Sequence, residues 1–271
     1  MKNQHGQVLL ITIMLLATAL TVVLSLSFRS TTETQITKLQ EENQKALAAA
    51  EAGIDASLKS GTAGNFNAIT GLSGLSASGI NMSDSQVSFN NANPDHITTV
   101  LLQKDEQYTF YLSTPGGKPP GTPDFSTFTP QNFTGDNIII CTTSSTAAME
   151  ITLIKQGTPA IVRYAVNPVG STIIQNASDT MTTGNSGCPS DATFSSYFSF
   201  SSTRLGNNTE LMIVRLLNDG GKIGIKPTSG TLPLQGKTVT STAQSDAGPT
   251  KIVQLFQSYP QIPADFFVTS F

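Results

Sequence analysis

The sequence predicts an α+β protein: one long N-terminal α-helix, transmembrane and then amphipathic, followed by an antiparallel β-rich head domain. Three observations predict it. Val8 to Phe28 is a run of 21 residues without a charge, a proline or a glycine. No glycine lies between Gly6 and Gly53, and the first proline is Pro94. Beyond residue 94 the apolar period shortens to two, in short β-branched and aromatic runs separated by turn residues.

The first element is the apolar run. As a helix it spans about 31 Å, matching the roughly 30 Å hydrocarbon core of a bilayer. It is longer than the apolar core of a secretory signal, which is about 7 to 15 residues. Lys2 precedes it and Arg29 follows it, a balance that weakly favours a cytoplasmic N-terminus, with the rest of the chain facing outward. Ala17, Thr21 and Ser25 fall at four-residue spacing on one face. They either let another helix approach closely or are simply tolerated, the hydroxyls bonding to their own backbone.

The second element continues the first. Ile36, Leu39, Asn43, Leu47, Ala50, Ile54 and Leu58 recur at a mean step close to the helical 3.6, so this stripe is expected to pack on a globular domain. The opposite faces carry charge, including Glu41 and Lys45 in the favourable i, i+4 order. Ala46 to Gly53 reads ALAAAEAG, which makes the helix thin near its end so that a neighbouring backbone can come close; helix propensity alone also explains it. Gly53 costs roughly 1 kcal/mol relative to Ala inside a helix and weakens the last turn.

Taken together, a short charged leader ending in Gly6, an uncharged span and an amphipathic extension resemble a type IV pilin-like protein. More narrowly, Gly6-Gln7-Val8-Leu9-Leu10-Ile11 followed by Ala49-Ala50-Glu51-Ala52-Gly53 resembles the PilX-type N-terminal domain of minor pilins, related to the large tip pseudopilins of type II secretion. The match covers residues 1–58. It implies cleavage by a prepilin peptidase after Gly6, methylation at Gln7 and extraction from the inner membrane into a filament. Ala17, Thr21 and Ser25 would then allow close approach of neighbouring helices of other pilin-like subunits, with Ala50 and Glu51 in the thinned end as further helix-packing residues. Most pilins carry a glutamate at the fifth mature position, where this chain has Ile11, and an aromatic at the first, where it has Gln7. The missing glutamate points to a minor or tip position over a bulk shaft subunit. The rivals are a type II secretion pseudopilin and an unprocessed signal-anchored surface adhesin or binding protein.

The expected division is leader 1–6, transmembrane half 7–28, amphipathic half 29–58, an irregular Gly/Ser/Asn-rich linker 59–93 and the extracytoplasmic head 94–271. In the head, His96–Gln103 with Tyr108–Ser113 reads as one hairpin, and Glu150–Lys155 with Ala160–Val166 as a stronger one. Further strands are expected at Ile138–Thr142, Phe194–Thr203, Glu210–Leu217, Lys222–Lys226, Lys237–Ala243 and Lys251–Phe256, with a turn at Asn218-Asp219-Gly220-Gly221. Pro115–Pro130 reads as a proline-rich surface loop. Phe125, Phe128 and Phe133 near it are either partner anchors or pins onto the protein's own sheet. Phe266, Phe267 and Phe271 are expected to dock the C-terminal tail.

Composition bounds the chemistry. The chain has 271 residues, a formal charge of -3 and 12% charged residues, where roughly 25% is usual. Its 15 Lys and Arg are scattered, so a nucleic-acid partner is not expected. There are two histidines, His5 and His96, and no serine-hydrolase elbow, zinc-protease or phosphate-loop motif. No enzymatic activity, cofactor or metal is therefore expected; an anchored hydrolase would have to use His96 as its base. Asp105, Asp136 and Asp219 sit in turns without a calcium-loop pattern. Cys141 and Cys188 are the only cysteines. In an exported chain they read as a disulfide, with two separate buried thiols as the alternative. The inner membrane, a prepilin peptidase, other subunits and a surface ligand for the head are the expected partners.

Overall fold

The computed structural model describes residues 5–90, 92–116, 124–129, 137–206 and 208–263. With no proline to remove a donor, a single helix α1 runs His5–Ser60, about 84 Å at 1.5 Å per residue. It stops where Gly61 turns left-handed (φ 67°) and its N–H returns to the Ser57 carbonyl at 2.8 Å. The strands are β1 Gly64–Asn65, β2 Gln86–Asn90, β3 Ile97–Thr98, β4 Gln107–Tyr111, β5 Thr114–Gly116, β6 Asp124–Thr129, β7 Ile138–Thr142 and β8 Ala148–Lys155. They continue with β9 Ile161–Asn167, β10 Asp179–Thr180, β11 Thr182–Thr183, β12 Ser196–Phe200, the short helix α2 Ser202–Leu205, β13 Thr209–Leu217, β14 Ile223–Pro227, β15 Gly236–Gln244 and β16 Thr250–Ser258. The chain forms two units, Met1–Ser88 with Thr240–Gln254, and Phe89–Val239 with Leu255–Phe271.

In the first unit the sheet order is β1-β2-β15-β16; β15 enters the unit at Thr240 and β16 leaves it after Gln254. The end of α1 buries Ala46, Ala49, Ala50, Gly53, Ile54 and Ser57, a row of i, i+3, i+4 steps made almost wholly of small residues. On β15, Ser241 and Ala243 are buried with Ser245 beyond them, again all small and on one face by the period of two. A Cβ on Gly53 would lie 2.5 Å from Ser241 Oγ and 2.8 Å from the Phe66 ring. The Ser245 hydroxyl donates to Glu42 eleven residues earlier on the helix. Contacts 42 to 245 and 53 to 241 make α1 antiparallel to β15.

The predicted stripe is corrected in part by this packing. Ala50 and Ile54 are buried as expected, but Ile36, Leu39 and Leu47 are 50%, 55% and 42% exposed. The close approach selects small side chains, and Leu47 sits about 100° round from Ala46 on the flank of the contact. Residues 59–93, expected as an irregular linker, carry β1, β2, two 3-10 turns and the buried Phe66, Ile69, Leu72, Ile80, Met82 and Val87.

In the second unit two five-stranded sheets, β10-β9-β8-β13-β4 and β11-β12-β7-β14-β3, share one core. Phe110, Met149, Ile151 and Met212 of the first meet Ile138, Ile140, Phe200 and Ile225 of the second. The β8–β9 hairpin forms as predicted, Met149 opposite Val166 and Ile154 opposite Ile161. The expected hairpin of 96–103 with 108–113 does not: β3 pairs with β14, and β4 pairs with β13. Pairing with the long apolar β13 buries more side chain than two short neighbours would offer each other. The turn 218–221 is present, but it carries the chain from one sheet to the other instead of closing a hairpin. The expected strand Phe194–Thr203 is shorter, giving way to α2.

The proline-rich segment is not wholly a loop: β5 and β6 pair antiparallel, while residues 117–123 and 130–136 lie outside the described residues. Phe125 stacks at 5.9 Å from both Tyr111 and Tyr259, and Phe128 packs on the same cluster, which is the pinning role. Phe133, Phe266, Phe267 and Phe271 fall outside the described residues.

Strand β4 ends its sheet, and glutamine side chains occupy its outer edge. Gln235 accepts from Tyr111 N at 2.8 Å and donates to Tyr111 O at 2.9 Å. Gln261 accepts from Thr109 N at 2.7 Å and donates to Thr109 O at 3.4 Å. Each amide stands in for one residue of a missing strand.

Gly53→Ala is expected to destabilise the protein by about 1–3 kcal/mol through overpacking, outweighing the roughly 1 kcal/mol gain in helix propensity. A thermal melt of the variant reads this, and adding Ser241→Gly should recover part of the loss. Gln235→Leu, which strands the buried donor and acceptor of Tyr111, should cost about 1–3 kcal/mol in urea unfolding.

Candidate functional site

The chemistry-bearing residues are spread over the molecule. One helix near the N-terminus is long and apolar enough to cross a membrane, and its apolar window is 0% buried by the rest of the chain. Gly6 and Gln7 lie in the first turn of α1. Ala17 forms part of two shallow depressions on the helix surface, one lined by Thr12, Ile13, Leu16 and Leu20, the other by Leu9, Leu10, Ile13 and Met14. Ala17, Thr21 and Ser25 are all exposed in the single chain. The Thr21 hydroxyl donates to the Thr18 carbonyl at 2.8 Å, and Thr18 does the same to Leu15 at 2.9 Å, so the helix satisfies these groups itself.

Beyond the apolar run the helix surface is charged and still uncovered. Arg29 pairs with Glu33 at 2.9 Å, and Lys45 lies 3.1 Å from Glu41 and 3.0 Å from Glu42. The hydroxyl of Ser245, and then Lys45, holds the Glu42 carboxyl below the usual range. Ala50 is fully buried against the first unit's sheet, whereas Glu51 is exposed on the other side of the helix.

Cys141 on β7 and Cys188, in the connection between β11 and β12, are joined by a disulfide with Cα atoms 5.9 Å apart. The bridge sits with Ile139, Phe194, Ala192 and Tyr197 and staples that connection onto the sheet. Gly224 on β14 leaves the space that the Phe194 ring fills.

His96 is flanked by carboxylates. Its Nδ1 is 2.8 Å from Asp95 Oδ1 and its Nε2 3.8 Å from Asp191 Oδ2, while the Thr98 hydroxyl donates to Asp191 at 2.8 Å. Among the described residues no hydroxyl or thiol is hydrogen-bonded to the ring, and no group of three or more His, Cys, Asp and Glu is placed to hold a metal ion. Asp219 is used by its corner: it accepts from Ser144 Oγ at 2.7 Å, Thr146 Oγ1 at 2.8 Å and Gly220 N at 2.9 Å. These bonds, Ser144 first, lower its pKa. Asp105 has φ 65° in the turn before β4, and Asp136 lies outside the described residues.

Sequence reasoning missed three polar arrangements. Arg204 clamps Asp179 at 2.6 and 3.1 Å and lies 5.3 Å over the Tyr164 ring. Glu150 is buried on β8, its Oε2 4.0 Å from Arg215, and burial pushes its carboxyl up against the pull of Arg163 and Arg215. The glutamine caps of β4 are the third. Alternation along β8 and β13 marks Glu150 and Arg215 as cross-strand neighbours only once the register is known. Compared with known protein families, with curated proteins and with solved structures, the chain has no match.

With the bridge intact, denatured protein should take up no alkylating reagent until it is reduced, and then two equivalents per chain. Reduction should lower stability by roughly 4 kcal/mol on the chain-entropy model, read as a fall in the urea midpoint. Labelling without reductant would contradict the bridge.

Proposed function

We propose that this chain is a minor or tip subunit of a type IV pilus-type filament. It is anchored by α1 in the inner membrane with its N-terminus inside, processed after Gly6, and assembled with its β-rich head displayed at the surface. The observation that carries the reading is the continuity of α1: the apolar run passes without a break through an exposed segment into the Ala/Gly-rich end that holds the first unit's sheet. A fixed anchor needs about 20 residues to span a bilayer. The additional exposed turns, with Ile36 and Leu39 uncovered, are surplus to that and suit packing among helices of the same kind.

The mechanism follows from transfer between apolar surroundings. Leu9, Ile13, Leu16, Leu20 and Leu24 contact lipid before assembly and neighbouring helices after it, so leaving the bilayer exposes little apolar surface to water. Ala17 provides the notch for a close neighbour. The apolar Ile11, where most pilins have glutamate, supports a position of low abundance.

N-terminal mass spectrometry of the protein co-expressed with a prepilin peptidase tests this. The expected mature chain begins at methylated Gln7. An intact Met1, or cleavage well inside Val8–Phe28, would overturn the reading in favour of a signal-anchored surface protein or a secreted domain.

A further inference from the structure

Eight strands form the edges of the four sheets among the described residues, and six of these edges are short or filled by side chains. β1, β3, β10 and β11 have two residues each and β5 three. The edge of β4 is filled by Gln235 and Gln261, and in β6 the Asp124 carboxylate takes the Ser126 N–H at 2.9 Å. The longest open edge is β16, nine residues long at the end of its sheet, with no partner on its outer side among the described residues. It contains no proline and no acid, and its single charge is Lys251. Ile252, Leu255 and Phe256 are 67%, 41% and 57% exposed. Such an edge is a pairing template that folded proteins normally block.

The sequence of β16, TKIVQLFQS, reads in polarity the same from either end: two polar residues, two apolar, Gln254 at the centre, two apolar, two polar. We infer that the outer edge of β16 is an interface for a second copy of this chain, paired antiparallel about a twofold axis through Gln254. In that register Ile252 faces Phe256 and Val253 faces Leu255, each twice, while Lys251 faces Gln257 and no like charges oppose. An unrelated extended segment could use the same backbone groups. The symmetry of side chains about Gln254, however, favours β16 of a second copy.

The contact is isologous and closes on itself, because the pair uses both long edges and leaves only the two-residue β1 at each end of the joined sheet. The inference is independent of the filament reading but constrains it. β15 and β16 are joined by the short turn 245–249, so they run antiparallel, and α1, antiparallel to β15, runs with β16. The twofold therefore sends the two apolar helix halves in opposite directions. The pair joins chains presented from opposing surfaces, not neighbours in one bilayer.

Cysteine cross-linking of the full-length chain in detergent tests this. In the inferred register residue 254 faces itself with Cα atoms about 4.5–5.5 Å apart, inside the Cα range that a disulfide spans. Gln254→Cys is expected to give a reducible dimer on mild oxidation. Thr250→Cys alone, eight residues from its mate, should stay monomeric, and Thr250→Cys with Ser258→Cys should cross-link. Ile252→Lys in the Gln254→Cys chain should reduce the dimer to background. All these side chains lie on the strand's exposed surface, and an unchanged melt checks that each variant folds. A monomeric Gln254→Cys chain overturns the proposal, as does equal cross-linking of Thr250→Cys alone, which would report association through α1 instead.

Discussion

Everything the first unit does depends on how closely α1 approaches β15. The contact is made by residues with almost no side chain: Ala46, Ala49, Ala50 and Gly53 on the helix, Ser241 and Ala243 on the strand. Small groups bury little area each, so the gain comes from fit and dispersion at short range more than from the amount of apolar surface hidden. Gly53 therefore has a reason to interrupt an otherwise strong helix-forming run. The same closeness leaves Ser241 Oγ buried without a hydrogen-bond partner among the described residues, a cost that the packing offsets.

A rod held this way at one end has a consequence for the other. The first unit grips α1 from Glu42 onward, and among the described residues the large apolar side chains of Leu9 to Leu39 are exposed. An isolated helix in water is marginal even with favourable charge pairs such as Arg29–Glu33. Lipid would cover the apolar run in the proposed reading, whereas most of the turns between it and Glu42 are exposed among the described residues.

Where period and composition were local signals, the sequence was legible. The helix, the β8–β9 hairpin around Gln156-Gly157-Thr158-Pro159, and β7, β13, β14, β15 and β16 were all readable within a few residues, as was the cysteine pair. What could not be read was pairing across long separations. Ile97–Thr98 and Gln107–Tyr111 carry good strand residues, but their partners, β14 and β13, lie more than 90 residues away. Proximity in sequence wrongly favoured joining them. The proline-rich segment misled for a related reason: five prolines between 115 and 130 argue for a loop, yet Phe125 and Phe128 gain enough from the Tyr111–Tyr259 cluster to hold β6 in place. Ala50 packs on the head's sheet as the apolar stripe predicts, whereas Glu51 one position on faces solvent in the single chain.

The polar side chains of the second unit argue in one direction. Asp219 is saturated by its corner, Arg204 and Asp179 hold each other, Glu150 is enclosed between strands, and Gln235 and Gln261 fill the edge of β4. The Tyr111 phenol, pushed up to about 12 by burial with Tyr259 adding to it, stays protonated and donates to the Pro260 carbonyl at 2.8 Å. Most of these polar groups close corners and edges of the second unit; the exception is Glu150, whose Oε1 is buried with no hydrogen-bond partner among the described residues. Against the short and filled edges, the nine-residue open length of β16 stands out. It locates the surface where the head's contact with another chain is best sought.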